Sequence, residues 1–211
     1  LIFAALKDTI NLAHNHGETG VIFSKKGNYS EALNNFFMAL KFYEKVGDSL
    51  SVAYAFTNIG ITYKQRQDYK KALDYYYRAI TIFKKIDNTD ARFGIAGTYS
   101  NIGNVHLKQG NYKKSLETLQ KGLKLSEEFE NPYLYAESYQ SIGENYLNLE
   151  KYDIALESYS KAIDFCNEIN DEAGIANSHI NMGYCYFKKK DNSKAISNIN
   201  LGLSVAKDLG L

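Results

Sequence analysis

The sequence predicts an all-α protein in which antiparallel helix pairs stack into a right-handed superhelical solenoid of five repeats. Three observations predict this architecture: a glycine that recurs about every 40 residues, small residues at fixed distances after it, and apolar residues at helical spacing in between. A period of roughly 20 to 50 residues is typical of repeat proteins, in which each repeat buries its apolar face against the next one.

The repeat is set by a glycine in each segment, and successive glycines are 40, 43, 40 and 40 residues apart: Gly20, Gly60, Gly103, Gly143 and Gly183. Small residues follow each glycine at twelve and at nineteen positions: Ala32, Ala72, Ser115, Ala155 and Ala195, then Ala39, Ala79, Gly122, Ala162 and Gly202. These markers predict one array with repeats at approximately 10–48, 49–89, 90–131, 132–171 and 172–211, preceded by residues 1–9 as the tail of an earlier helix.

Each repeat contains two predicted helices. The first, helix A, is indicated by residues at i, i+3, i+4 and i+7, as in Phe56, Ile59, Gly60 and Tyr63. The second, helix B, is indicated by i, i+4 and i+7, as in Ala72, Tyr76 and Ala79. An antiparallel pair is therefore expected in every repeat.

Short polar turns separate helix A from helix B, and most contain a residue that can cap helix B: Asn28, Asp68, Asn111 and Asp191. Asn28 and Glu31 have the spacing of a capping box. Lys151 occupies the same place in the fourth repeat and cannot cap, which forgoes up to about 1 kcal/mol. Pro132, after Asn131, is expected in the first turn of a helix A.

The recurrent glycine of helix A needs an explanation, because a glycine within a helix costs about 1 kcal/mol relative to alanine. The simplest one is close packing of the two helices of a repeat. We therefore predict that each glycine of helix A faces the small residue of helix B, Ala, Ser or Gly.

This pattern resembles the tetratricopeptide repeat, whose signature is a large residue, Leu-Gly, Tyr, Ala, Phe and Ala. The second repeat shows it as Phe56, Ile59, Gly60, Tyr63, Ala72, Tyr76 and Ala79, and the fourth as Tyr139, Ile142, Gly143, Tyr146, Ala155, Tyr159 and Ala162. The period of 40 exceeds the usual value of about 34, which implies longer helices. The longer form is similar to the arrays of Pins-type adaptors and to the sensor regions of bacterial signalling proteins.

The resemblance implies a concave groove lined by A helices, with peptide-binding residues two positions before the glycine. Asparagines occupy that position in three repeats, and we name Asn58, Asn101 and Asn181 the asparagine ladder. A carboxamide both donates and accepts, so it can pair with the backbone of an extended peptide. The ladder resembles that of Pins-type adaptors, kinesin light chains and bacterial peptide-pheromone receptors. Alternatively, these asparagines bond to neighbouring A helices or to backbone and hold no ligand.

Further residues are predicted to face the same groove. Ser141 takes the ladder position in the fourth repeat and interrupts it, because it has a single hydroxyl. The other predicted groove residues include positive, negative and uncharged side chains: Asn104, Lys64, Lys108, Gln140, Glu144, Tyr184 and Lys188. The mixture indicates no preference for a partner of one charge.

Several classes of function are disfavoured by the composition. The net charge is +1, which provides no overall field toward nucleic acid, and no apolar run approaches the roughly 20 residues that cross a membrane. We find no nucleophile with its base, no metal-ligand spacing and no nucleotide motif, so neither enzyme activity, a metal nor a cofactor is expected. Cys166 and Cys185 are expected to be buried and unpaired. The sequence does not assign a cellular compartment, although a cytoplasmic one is favoured.

Two functions remain. The first is a non-catalytic scaffold that binds an extended protein or peptide segment in the groove. The second is a regulatory sensor or dimerisation region of a larger signalling protein, a histidine kinase, cyclase or transcription regulator, because the chain begins within the repeat pattern. Self-association is also expected, through the apolar residues of the last helix: Ile196, Ile199, Leu203 and Val205.

Overall fold

The computed structural model describes residues 2–127 and 129–210, and these residues form ten α-helices and no strand. The helices are α1 (Ile2–Lys25), α2 (Tyr29–Val46), α3 (Ser49–Gln65), α4 (Tyr69–Phe83), α5 (Thr89–Lys108), α6 (Tyr112–Ser126), α7 (Pro132–Asn148), α8 (Tyr152–Glu168), α9 (Glu172–Lys188) and α10 (Asn192–Asp208). The predicted all-α helical-repeat fold is confirmed, with odd-numbered helices as the A helices and even-numbered helices as the B helices.

The chain divides into two compact units, Leu1–Val105 and His106–Leu211, which we call the N-terminal and C-terminal units. In the N-terminal unit α1 packs on α2, α2 on α3 and α3 on α4. In the C-terminal unit α7 packs on α8, α8 on α9 and α9 on α10. Residues 2–9 are the first turns of α1 and not the tail of a separate helix, so that part of the expectation is wrong.

The turns before the B helices are capped largely as predicted. The side chains of Asn28, Asp68 and Asp191 each accept a hydrogen bond from the backbone N–H three residues on. Lys151 makes no such bond, and neither does Asn111, for which capping was predicted. Asn111 is exposed, so water can take the place of the missing bond.

The start of α7 also agrees with its prediction. Pro132 lies in the first turn of the helix, where its missing N–H leaves no hydrogen bond unmade. The side chain of Asn131 accepts hydrogen bonds from the N–H groups of Tyr133 and Leu134 at 3.0 and 3.3 Å.

A Cβ atom on Gly183 would lie 3.0 Å from the carbonyl oxygen of the small residue Ala195, as predicted, but the glycines of two other A helices contact a different part of helix B. A Cβ atom on Gly60 would lie 2.6 Å from the ring of Tyr76, and one on Gly143 would lie 2.7 Å from the ring of Tyr159. The glycine therefore leaves room for a large side chain of helix B, and the prediction that it faces a small residue is wrong for these repeats. The small residues of helix B are buried as well, and Ala72 belongs to the same core cluster as Tyr76.

The two cysteines behave as predicted. Cys166 and Cys185 are buried and unpaired. Burial raises the pKa of each thiol to about 11, so both stay protonated and unreactive near neutral pH. Within the described part of the chain, no helix combines the length and the apolar character that a transmembrane segment needs.

Candidate functional site

Asn58 is the first member of the asparagine ladder, and it lies on α3 in the N-terminal unit. Its side chain is half-buried, and we find no hydrogen bond from its carboxamide to another described residue. It lies at a cavity of about 80 Å³ whose walls come from α1, α2 and α3. Asn58 thus combines an unused donor and acceptor with an adjacent space, the arrangement expected of a residue that pairs with a ligand.

Asn101, the second ladder residue, is held by bonds within the N-terminal unit. Its Nδ2 donates to the carbonyl of Gly97 at 3.2 Å, and its Oδ1 accepts from Lys64 Nζ at 3.0 Å. The bond from Lys64 joins neighbouring A helices, so the alternative interpretation applies here in part. The Asn101 carboxamide nevertheless keeps one further N–H and one lone pair for a ligand. Asn104 is half-buried and lies one turn further along α5.

In the C-terminal unit the predicted residues of α9 form one stripe. Asn177, Asn181, Tyr184 and Lys188 follow one another at i, i+4, i+7 and i+11, the spacing of a single helix face. Asn181 Nδ2 donates to Asn177 Oδ1 at 3.3 Å, and Lys188 Nζ lies 5.2 Å from the centre of the Tyr184 ring. The hydrogen bond with Tyr184 raises the pKa of Lys188, so this end of the stripe carries a positive charge at neutral pH.

Lys108 and Glu144 form an ion pair with 2.9 Å between Nζ and Oε1. Their side chains are 54% and 40% exposed, so the pair contributes at most about 1 kcal/mol to stability. Each charge therefore reduces the net charge that the other presents to a ligand.

Two predicted groove residues are placed differently. Ser141 is buried, with 7% of its surface exposed. Gln140 donates through Nε2 to the carbonyl of Gly174 at 3.2 Å and to Cys166 Sγ at 3.5 Å, so it joins α7 to α9 and α8. Conversely, Asn177 was not predicted, although its position one turn before a ladder residue could have indicated it.

The histidines are structural. His14 is hydrogen-bonded to Tyr43, His16 to Asn35 and His179 to Asn198, at 2.9–3.1 Å in each pair. The prediction that His179 is packed and hydrogen-bonded is confirmed. His106 is buried as predicted, but neither ring nitrogen forms a hydrogen bond of normal geometry with a described residue. Among the described residues no three side chains are grouped so that they could hold a metal ion.

Comparison with protein families decides the relationship that the pattern suggested. Residues 8–85 and 94–168 match one model of the tetratricopeptide repeat, and residues 176–209 match a second. The chain belongs to the tetratricopeptide repeat family. The two matches together include most of each of the five A helices.

Solved structures of other proteins share this fold at low identity. Aspartyl phosphate phosphatase F from Bacillus subtilis is 18% identical with a TM-score of 0.82, and the match covers 98% of this chain and 53% of that one. The Rap conjugation gene regulator of plasmid pLS20, in complex with the Phr* peptide, is 15% identical with a TM-score of 0.80, covering 92% and 53%.

A third similar structure is a signal transduction ATPase with numerous domains from Pyrococcus horikoshii, which has a tetratricopeptide repeat sensor. It is 17% identical with a TM-score of 0.76, and the match covers 99% of this chain and 33% of that one. The chain thus spans a third to about half of the length of these three proteins. No curated protein sequence matches it.

Proposed function

We propose that this tetratricopeptide repeat chain is a non-catalytic scaffold that binds an extended peptide or protein segment along its A helices. The observation that carries the proposal is the pair of ladder residues in the N-terminal unit. Asn58 has an unused carboxamide beside a cavity, and Asn101 is oriented by Lys64 while keeping a donor and an acceptor free.

The spacing of packed helices suits an extended peptide. Neighbouring helices pack about 8–10 Å apart, and an extended chain advances about 3.3 Å per residue, so adjacent A helices would meet every third peptide residue. The bonds that already hold Asn101 reduce the entropy lost when it binds a ligand. The similar Rap regulator in complex with the Phr* peptide is consistent with this use of the fold.

The proposal predicts that ladder substitutions weaken peptide binding without unfolding the chain. A displayed library of random 12-residue peptides would be selected on the wild-type chain, and the dissociation constant of a selected peptide measured by fluorescence anisotropy. Each of Asn58→Ala and Asn101→Ala should weaken binding about 5- to 10-fold, because each leaves peptide backbone groups without a partner. Circular dichroism should show unchanged helicity.

Asn34→Ala provides the matched control, because Asn34 is exposed on the B helix α2 and lies outside the proposed site. This variant should bind the peptide as the wild type does. Equal affinity for the wild type and the double variant Asn58→Ala/Asn101→Ala would contradict the proposed role of the ladder.

A second candidate function is a regulatory sensor region of a larger signalling protein. It is favoured by the similarity to the tetratricopeptide repeat sensor of the Pyrococcus horikoshii ATPase, of whose chain the match covers 33%. The complete coding sequence tests this candidate. A kinase, cyclase or DNA-binding domain in the same polypeptide would support it, and a complete polypeptide without any effector domain would contradict it.

We also propose that the exposed face of α10 mediates association with a second copy of the chain. Ile196 and Leu203 are 61% and 55% exposed, whereas the equivalent residues of the first repeat, Leu33 and Leu40, are 5% and 9% exposed. Leu33 and Leu40 belong to a buried core cluster, whereas Ile196 and Leu203 present apolar surface on α10.

This proposal predicts a molar mass that rises with concentration in light scattering of the wild-type chain. The double variant Ile196→Lys/Leu203→Lys should remain monomeric, because each lysine would have to be desolvated at the interface. Ser197→Lys/Ser204→Lys adds the same charge at exposed polar positions of α10 and should behave as the wild type. A strictly monomeric wild type at all concentrations would contradict self-association.

A further inference from the structure

We propose that the cavity beneath Gly17 is a specificity pocket for one short aliphatic side chain of the bound peptide. This inference rests on the proposed function and adds what the N-terminal unit selects. The cavity has a volume of about 80 Å³ and is lined by residues of α1, α2 and α3: Gly17, Phe36, Ala39, Tyr43, Ser51, Tyr54, Ala55 and Asn58. Asn58 therefore borders the same space that the side chain would enter.

The walls of the pocket combine apolar groups with polar atoms, which include those of Ser51 and Asn58. Phe36, Tyr43 and Tyr54 contribute aromatic rings, and Ala39 and Ala55 contribute methyl groups. Both tyrosine hydroxyls are already used, because Tyr43 is bonded to His14 at 3.1 Å and Tyr54 donates to the carbonyl of Asp90 at 2.9 Å. The tyrosines consequently offer a ligand their rings more than their hydroxyl groups.

The residues that line the pocket favour an uncharged side chain. No acidic or basic residue is among the lining residues. Burying a charge without a partner is unfavourable, whereas an aliphatic group gains by leaving water. Burial, reinforced by nearby acidic residues, raises the pKa of Tyr43 and of Tyr54, so neither phenol supplies a counter-charge.

The size of the pocket limits the side chain that fits. A space of about 80 Å³ compares with roughly 15–30 Å³ for one water molecule, so it has room for a few non-hydrogen atoms. We expect valine or leucine to fit this space better than an aromatic ring does. Because the Asn58 carboxamide has no partner of its own, we expect it to pair with the backbone of the same peptide residue.

Gly17 keeps this space open. A Cβ atom there would meet only the Tyr43 hydroxyl oxygen, at an ordinary distance of 3.8 Å, whereas a Cβ on Gly20 would lie 2.7 Å from the Phe36 ring. Packing of α1 on α2 therefore requires glycine at position 20 and not at position 17. A helix is less stable with a glycine in its interior than with an alanine there. We therefore infer that the absence of a methyl group at Gly17 serves ligand binding.

The test uses Gly17→Ala and peptides from the same random 12-residue library, selected on the wild-type chain. Each position of a selected peptide would be changed in turn to Gly, Ala, Val, Leu and Phe. We expect one position at which the wild type favours Val or Leu roughly 10-fold or more over Gly and rejects Phe. Gly17→Ala should bind the Leu peptide at least about 10-fold more weakly and should shift the preference at that position to Ala.

These measurements distinguish a change in the pocket from unfolding of the chain and from an incorrect proposed function. Gly17→Ala should raise the thermal midpoint, because alanine favours the helix. Loss of binding in Asn58→Ala/Asn101→Ala together with unchanged side-chain preference in Gly17→Ala would overturn the pocket and leave the proposed function standing. A library that yields no peptide for the wild type would overturn both.

Discussion

Replacing Gly143 with alanine is expected to lower the free energy of unfolding by about 1–3 kcal/mol. The added Cβ would lie 2.7 Å from Cε1 of Tyr159, well inside the normal contact distance. Tyr159 is 1% exposed, so its ring cannot move out of the way without disturbing its other contacts. The usual gain from replacing a helix glycine by alanine is therefore reversed here.

Urea unfolding followed by circular dichroism measures this loss, and Gly17→Ala is the matched control. Both variants add one methyl group to an A helix, but a Cβ on Gly17 meets nothing closer than 3.8 Å and should stabilise the chain. In the double variant Gly143→Ala/Tyr159→Leu, the loss of stability should be smaller than the sum of the losses in the two single variants, because the smaller leucine leaves room for the methyl group. Opposite signs for the two alanine variants are the expected result, and equal effects would contradict this account of glycine.

Replacing His106 with leucine is expected to raise the free energy of unfolding at pH 7 by about 1–3 kcal/mol. His106 is 2% exposed, and its ring nitrogens lack hydrogen bonds of normal geometry with described residues. Leucine has a similar volume and no polar atom, so it removes the desolvation cost and keeps the packing. The equivalent residues of the second, fourth and fifth repeats are Tyr63, Tyr146 and Tyr186, which shows that histidine is not required at this position.

The same substitution should remove part of the pH dependence of stability. Burial lowers the pKa of His106, the charge of Lys114 lowers it further, and Gln109 opposes the shift. A lowered pKa means that the unfolded chain binds the proton more tightly than the folded chain, so stability falls as the pH drops through about 6.5. The loss continues until the pH reaches the lowered pKa of the folded state.

Urea unfolding of the wild type and His106→Leu at pH 7.5 and pH 5.5 tests this second prediction. The wild type should lose about 1 kcal/mol more than the variant between the two pH values, since each pH unit below the unfolded pKa is worth up to about 1.4 kcal/mol. Parallel losses would show that other groups carry the acid sensitivity.

Local rules made much of the fold predictable from the sequence. The glycine period and the apolar spacing identify the helix pairs, because every repeat packs its two helices together with similar side chains at equivalent positions. The caps at Asn28, Asp68 and Asp191 and the proline at the start of α7 also depend only on residues within one turn. Each of these features depends on residues that are close together in the sequence, so the sequence alone predicts it.

The candidate site was less predictable, because it depends on what lies across the next helix. Ser141 and Gln140 have groove positions by sequence register, yet one is buried and the other bonds to Gly174. Lys64 satisfies Asn101, while Asn58 at the same register has no such partner. Residues at equivalent positions of the repeat therefore have different roles when the side chains that face them differ.

The sequence by itself determined the family, the helices and the candidate binding residues, since these follow from a pattern repeated along the chain. Only the tertiary structure decided that Gly60 and Gly143 make room for tyrosine rings and that Gly17 opens a cavity. The physical reason is that the sequence places each of these glycines in an A helix, and only the atoms packed against each one distinguish a close contact from an empty space.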